Sequence, residues 1–445
     1  MKIRTTTYNV DRKSRYDTRL TIGVEILTPQ GGIIDTSATV QLNPIGYFIG
    51  KVPDAAFAML YLSAIVYAID RSVSRGRFSV DGWSREFDVE ISIPCVNLFK
   101  QIESKINSML SYLTGDYWEC HFVGDATMNP MRFGKIDAFE GITQVNLFSG
   151  GMDSLIGAID YMTDFPGGKL FLASHYDSKM PGPQTDQKGL KDILRTKYPN
   201  MFSSMPAVLI SPDRSYELSS RSRSLMFLSI ALVVASYANC KVVVPENGSV
   251  SLNYPLSPSR RASCSTRTTH PVFLKQFRVV VGELGLTCEI DNPYEKMTKG
   301  EMVRGCSDKD YLLSIVDSSN SCGKRSKHQY MYDNRNATHC GHCMPCMYRK
   351  ASMVGETDKT TYGNTFATLF KRKGSKLSED FFAMLDFLKK SLTREDIKRE
   401  LMIAGMGRFD DLDDYVDLVI RTRAELESMV LAENVVSVNK YMGWI

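Results

Sequence analysis

The stretch Leu147-Phe148-Ser149-Gly150-Gly151-Met152-Asp153-Ser154 decides how this chain is read. An apolar run over 145–148 leads into it as a strand would, and a helix-forming stretch follows. Gly150 and Gly151 let the backbone turn tightly and approach a ligand with no Cβ in the way. At such a turn the first N–H groups of the helix, with the hydroxyls of Ser149 and Ser154, cradle phosphate oxygens. Asp153 would hold Mg²⁺ against those phosphates. No Gly-Lys-Ser/Thr follows, so this is not a Walker loop.

Outward from the loop, apolar runs at 145–148, 170–173, 207–210 and 242–244 alternate with helical stretches. Spacings of roughly 25–35 residues suit βαβ units and a parallel sheet. The expected fold class is therefore α/β, with a nucleotide-binding core over 139–352. Before it, residues 1–138 read as a separate α+β domain. Residues 19–27 and 33–42 alternate as strands on either side of Gly31-Gly32, and so do residues 86–93. Asp54 caps an apolar helix reaching Ile69, and a stripe from Leu98 to Leu113 marks a second helix. Antiparallel strands with packed helices fit that order. After it, residues 353–445 read as helical, with stripes at Phe381, Leu385, Leu388 and Leu392 and from Leu412 to Met429. The basic run 371–376 serves as a solvated hinge.

Composition narrows the function classes. The chain has 445 residues, 43% hydrophobic and 23% charged, with a formal net charge of +4. That balance does not call for nucleic acid or an anionic membrane as partner. Twenty-one Phe, 21 Tyr and 22 Met supply ample core, which excludes global disorder. The N-terminus shows no apolar signal region, and the longest apolar runs, 55–69 and 225–238, fall short of a bilayer span. The expectation is a cytoplasmic protein with reduced thiols. Residues 205–280 carry nine basic side chains against three acidic ones. A local positive excess of that size suits a polyanion such as ATP.

Cys340-Gly341-His342-Cys343-Met344-Pro345-Cys346 gives C-x₂-C-x₂-C, and Cys322 lies 18 residues earlier. Short turns of this kind put thiolates on one metal, and a distant fourth ligand closes a tetrahedron. Zn²⁺ on Cys322, Cys340, Cys343 and Cys346 is the assignment, with a structural role because no position stays open. Cys306, His328, His339 and His342 compete for the fourth place.

Ser149-Gly150-Gly151-Met152-Asp153-Ser154 matches the Ser-Gly-Gly-x-Asp-Ser signature of the PP-loop ATP pyrophosphatases. Taken with the cysteines, the order resembles the QueC family, the 7-cyano-7-deazaguanine synthases. The resemblance extends to Arg223 with Phe227-Leu228-Ser229-Ile230-Ala231, to Pro293 with Thr298-Lys299-Gly300-Glu301-Met302-Val303, to Ser321-Cys322, and to the cysteine run ending in Arg349. It covers about residues 142–352 and implies the adenine nucleotide alpha hydrolase-like fold. It implies ATP on Phe148, Ser149, Gly150, Gly151, Met152, Asp153, Ser154 and Leu155, with Asp153, Arg223 and Lys299 in catalysis. The chemistry implied is adenylation of a deazaguanine carboxylate, followed by displacement of AMP by an amine.

The gap from Cys322 to Cys340 is longer than is usual in that family, and Pro245-Glu246-Asn247-Gly248-Ser249 differs from its substrate loop. The flanking segments are absent from simple QueC proteins. The architecture is similar to the QatC-type members of anti-phage defence operons, which implies a co-operonic partner protein whose N-terminal amine is the acceptor. Nitrile synthesis from ammonia, a tRNA thiolase with an iron–sulfur cluster, and a non-catalytic nucleotide-sensing subunit are the alternatives.

Overall fold

The structure is a computed structural model that describes residues 1–14, 17–124, 139–180, 182–213, 215–217, 219, 221–257, 267–325 and 327–445. Its first strands are β1 (Lys2–Ser14), β2 (Asp17–Leu27), β3 (Ile33–Gln41), β4 (Glu86–Ser92) and β5 (Tyr117–Val123). β1, β2 and β3 pair antiparallel, the last two across the turn at Gly31-Gly32. β4 runs parallel to β1, and β5 runs parallel to β4. The antiparallel expectation thus fails for this pair, because each strand is reached through a helical crossover, Asp54–Ser72 and then Glu103–Thr114. The β5 edge is closed by the second of these helices. Ser111, Asn107 and Glu103, one turn apart, accept from the N–H groups of Trp118 (3.0 Å), Cys120 (2.9 Å) and Phe122 (3.3 Å).

The remaining strands are β6 (Gln144–Leu147), β7 (Leu170–Ala173), β8 (His175–Asp177), β9 (Phe202–Ser204), β10 (Val208–Pro212), β11 (Lys241–Val243) and β12 (Ile290–Asp291). Every residue of β6 and β7 is buried, as in a sheet covered on both faces, whereas burial alternates along β10. That alternation matches where β10 goes. It pairs antiparallel with β3 and carries β8 beside it, in a seven-stranded sheet ordered β5-β4-β1-β2-β3-β10-β8. The apolar run at 207–210 therefore does not join the parallel sheet, and the first sheet crosses from residues 1–138 into 139–352.

The parallel sheet has five strands, ordered β12-β11-β6-β7-β9. Two of them, β9 and β12, are too short to leave a periodic signature. Renumbered within the sheet, the order is 3-2-1-4-5, so the direction of winding reverses between β6 and β11. In open α/β sheets, ligands bind at the carboxyl ends of the strands at that reversal. The stretch 148–154 leaves β6 there, and Pro245-Glu246-Asn247 leaves β11 beside it.

Two apolar helices lie between the sheets. Asp54–Ser72 packs on β2, β3 and β10, while Arg223–Ala238 packs on β6, β7 and β11, and the two helices pack on each other. Each faces protein on all sides, which is why neither shows an amphipathic pattern. The helix Asp54–Ser72 is long and apolar enough to cross a membrane, and here it is buried inside the protein. Helices after residue 344 form a second core, in which Leu412–Glu433 lies against Met344–Ser352 and Gly248–Leu252.

Candidate functional site

The stretch after β6 forms a tight loop that opens the helix Met152–Asp164, with Gly151 in the cap position. Gly150 has φ +87°, and a Cβ there would meet Asp186 Cβ at 3.2 Å and Gln187 N at 3.3 Å. Only glycine fits both the dihedral and the contact. The Gly151 N–H points to Ser149 Oγ (3.3 Å), and Ser154 Oγ donates to Gly151 O (2.9 Å). Ser321, which the sequence reading placed only beside a metal ligand, accepts from the Met152 N–H (3.3 Å). The Asn320 N–H donates to Gly150 O (2.9 Å). Phe148 and Leu155 do not face the cleft. Both are fully buried and anchor the two ends of the loop in the core.

Ser149, Gly151, Met152, Asp153 and Ser154 line a cleft of about 950 Å³. Asp153 is 6% exposed and pairs with Lys299, while Asn247 Nδ2 donates to it at 2.6 Å. Burial would raise the Asp153 pKa, but the Lys299 ammonium and these hydrogen bonds outweigh it and hold the carboxyl below its ordinary range. Glu246 stands next to it, and burial followed by the Asp153 charge pushes its pKa well up. Two carboxyl groups this close disfavour each other's ionisation. Glu246 was not singled out in the sequence, where it was one acid in a loop of uncertain course. Lys299 stands where a Thr298–Glu301 capping box starts its helix, and Asp153 occupies its charge.

Arg223 lines the same cleft, stacked on Phe227 at 5.3 Å. Among the described residues its guanidinium makes no ion pair or hydrogen bond, and burial lowers its pKa. The first 138 residues reach this wall directly. Arg71 lines the cleft and is held by Asp177 (3.2 Å), Ser215 Oγ (2.6 Å) and Glu217 O. Its neighbour Asp70 accepts from Ser222 Oγ (2.7 Å) and N (3.2 Å), which fixes the start of the helix carrying Arg223.

Seven basic side chains line the cleft against three acidic ones. They are not those of the 205–280 segment, from which only Arg223 contributes among the described residues. Arg214, Arg260 and Arg261 lie outside the described residues, and Lys241 begins β11 at the far end of the sheet. The positive charge comes instead from Arg71, Lys179, Lys299, Lys324, Arg325 and Lys327, which converge from separate parts of the chain.

The sulfurs of Cys322, Cys340, Cys343 and Cys346 lie within 4.8 Å of one another, so this cluster could hold a metal such as zinc. Gly341 makes the knuckle possible, since it has φ +75° and a Cβ there would sit 2.6 Å from Asn364 O. The competitors are engaged elsewhere. His339 meets the Ser321 N–H (3.3 Å), His342 meets Cys340 O (3.3 Å), and His328 meets Arg335 O (2.9 Å). Cys306 sits in the separate core beside Asp160. Arg349 is fully buried and bonds Ser319 Oγ (2.9 Å) and Val316 O (2.8 Å). Cluster and arginine together pin residues 316–322, and so the segment that touches the loop 148–154.

Comparison of the chain with protein-family models, with curated proteins and with solved structures finds no match.

Proposed function

We propose that the protein is a QueC-like, ATP-dependent ligase with the PP-loop type of nucleotide-binding core. The observation that carries this is the Ser149–Ser154 loop at the winding reversal of a 3-2-1-4-5 parallel sheet, opening on a cation-lined cleft. The loop's N–H groups and hydroxyls would receive the phosphates, with Asp153 and Glu246 holding Mg²⁺ beside them. Arg223 would receive a second anion, the carboxylate of a 7-deazaguanine. A carboxylate oxygen attacks the α-phosphorus, the bond to the β-phosphate breaks, and pyrophosphate leaves. An amine then attacks the acyl carbon, AMP leaves, and the amine loses a proton. Positioning and fixed charge supply the catalysis. The cysteine cluster would hold Zn²⁺ with no position open to substrate.

The acceptor proposed is the N-terminal amine of a partner protein in a cytoplasmic defence system. Arg71 of the N-terminal segment lines the cleft, and Glu425 of the C-terminal segment holds Thr298 and Gly300 beside Lys299, so that partner would dock at the cleft mouth. The test combines the protein with ATP, 7-carboxy-7-deazaguanine and either ammonia or a co-operonic partner. Pyrophosphate release and an acyl mass on the partner's α-amine support the reading. Free nitrile from ammonia with an unmodified partner would return it to plain synthase chemistry, and ADP with phosphate would sink it.

A further inference from the structure

Seventeen residues separate Cys322 from Cys340, and the first of them turn back into the cleft. We infer that the turn Gly323-Lys324-Arg325, with Lys327, is a cationic strap over the phosphate loop that grips the β- and γ-phosphates of the nucleotide. This rests on the nucleotide reading of the cleft.

The strap flanks the loop from two sides. On one side Asn320 and Ser321, the residues just before Cys322, bond Gly150 O and the Met152 N–H. On the other, Arg325 pairs with Asp186, whose Cβ is the atom that Gly150 has no room to face. Arg325 therefore stands one side chain away from the loop backbone. The Lys324 ammonium has no ion pair or hydrogen bond among the described residues, although the residue is partly buried. A cation held at a cleft wall without a counter-ion is suited to an anionic ligand.

Lys299 is neutralised by Asp153, and Ser321 already takes the Met152 N–H. A polyphosphate on this loop would meet the loop's neutral donors and the strap, alongside the other cations of the cleft wall. The turn is also fixed in place, because Cys322 Sγ accepts from both the Lys324 N–H (3.4 Å) and the Cys340 N–H (3.3 Å). The geometry that gathers the sulfurs is the geometry that aims the strap.

The test uses the full chain and calorimetric titration with two probes, inorganic pyrophosphate and AMP. Lys324→Ala and Arg325→Gln should each weaken pyrophosphate binding about tenfold, as loss of one charge-assisted contact does. AMP affinity and the melting temperature of Lys324→Ala should stay as in the parent protein. Pyrophosphate binding unchanged in both variants overturns the strap. So does a parallel fall of AMP and pyrophosphate affinity, or a parent protein that does not bind pyrophosphate. If the parent protein converts ATP to ADP and phosphate, the α–β cleavage reading falls. A pyrophosphate-specific loss in the variants would then still support the strap.

Discussion

Asp153 is a buried carboxylate whose charge is held by one buried ammonium, that of Lys299. Removing one member strands the other, which costs about 3–5 kcal/mol in a buried pair. Asp153→Asn should therefore abolish pyrophosphate release and also lower the melting temperature. Asp153→Asn combined with Lys299→Met should recover much of the stability and none of the activity. A stable double variant that still releases pyrophosphate would remove Asp153 from the chemistry. Lys191 offers a pH test beside the same loop. Its ammonium sits 5.8 Å from the Phe148 ring, and burial, with a smaller push from Arg195, lowers its pKa to about 7. Above that value the unfolded chain holds a proton that the native state has released, up to the ordinary lysine range, so stability rises with pH across that window. Melting temperatures from pH 7 to 9 should climb in the parent protein and flatten in Lys191→Met.

At the scale of elements, the cysteine cluster and the loop 148–154 are held together through Ser321 and Cys322. Cys322 is bonded in sequence to Ser321, and Ser321 caps the first helical N–H of the loop. A structural metal contributes folding free energy directly. Cys343→Ser should release the metal, lower the melting temperature, and speed hydrogen exchange at the Gly150, Gly151 and Met152 amides. Exchange at those amides that ignores metal removal would separate the two sites. The helix Leu412–Glu433 supports the opposite wall. Glu425 accepts from Thr298 Oγ1 (2.6 Å) and the Gly300 N–H (3.2 Å), next to Lys299, and Thr422 meets Ser249 (2.6 Å). Thr298 to Val303 was legible as a motif. Its clamp was not, because Glu425 lies 125 residues downstream of Gly300 on a helix that reads as an ordinary amphipathic one.

At the scale of the whole molecule, one sheet and one core cross the boundary near residue 138. The two sides share a sheet through β3 and β10, and one hydrophobic core runs from Ile3 to Ile290. A buried ionic network crosses as well. Asp70 is bonded to Arg85 (2.6 Å) and to Ser222, and Asp116 to Arg75 (2.7 Å) and Arg85 (2.7 Å). Residues 139–352 expressed alone should therefore fail to fold, because the helix Arg223–Ala238 would lose the apolar partner Asp54–Ser72. Circular dichroism and a sharp, cooperative melt from that fragment would contradict this. Asp70→Ala is the single-residue form of the same prediction, with an expected loss of about 3–5 kcal/mol.

What the sequence determined by itself was local. Two glycines between an apolar run and a helix specify a tight loop at the helix start, and C-x₂-C-x₂-C specifies a sulfur cluster, because backbone dihedrals and ligand spacing act over a few residues. The alternation of β2 and β3 was equally legible, since period two needs only neighbours. Partners far apart in the chain were decided by the tertiary structure alone. Whether 207–210 joins one sheet or the other turns on whether a second face is covered, and the chain does not write that locally. The cleft's charge could not be read from the basic run at 205–280, because Arg71, Lys179, Lys324 and Arg325 meet only when β10, the cysteine cluster and the Asp54–Ser72 helix are in place. Electrostatic fields add over space, not along the chain, so only the fold could assemble this one.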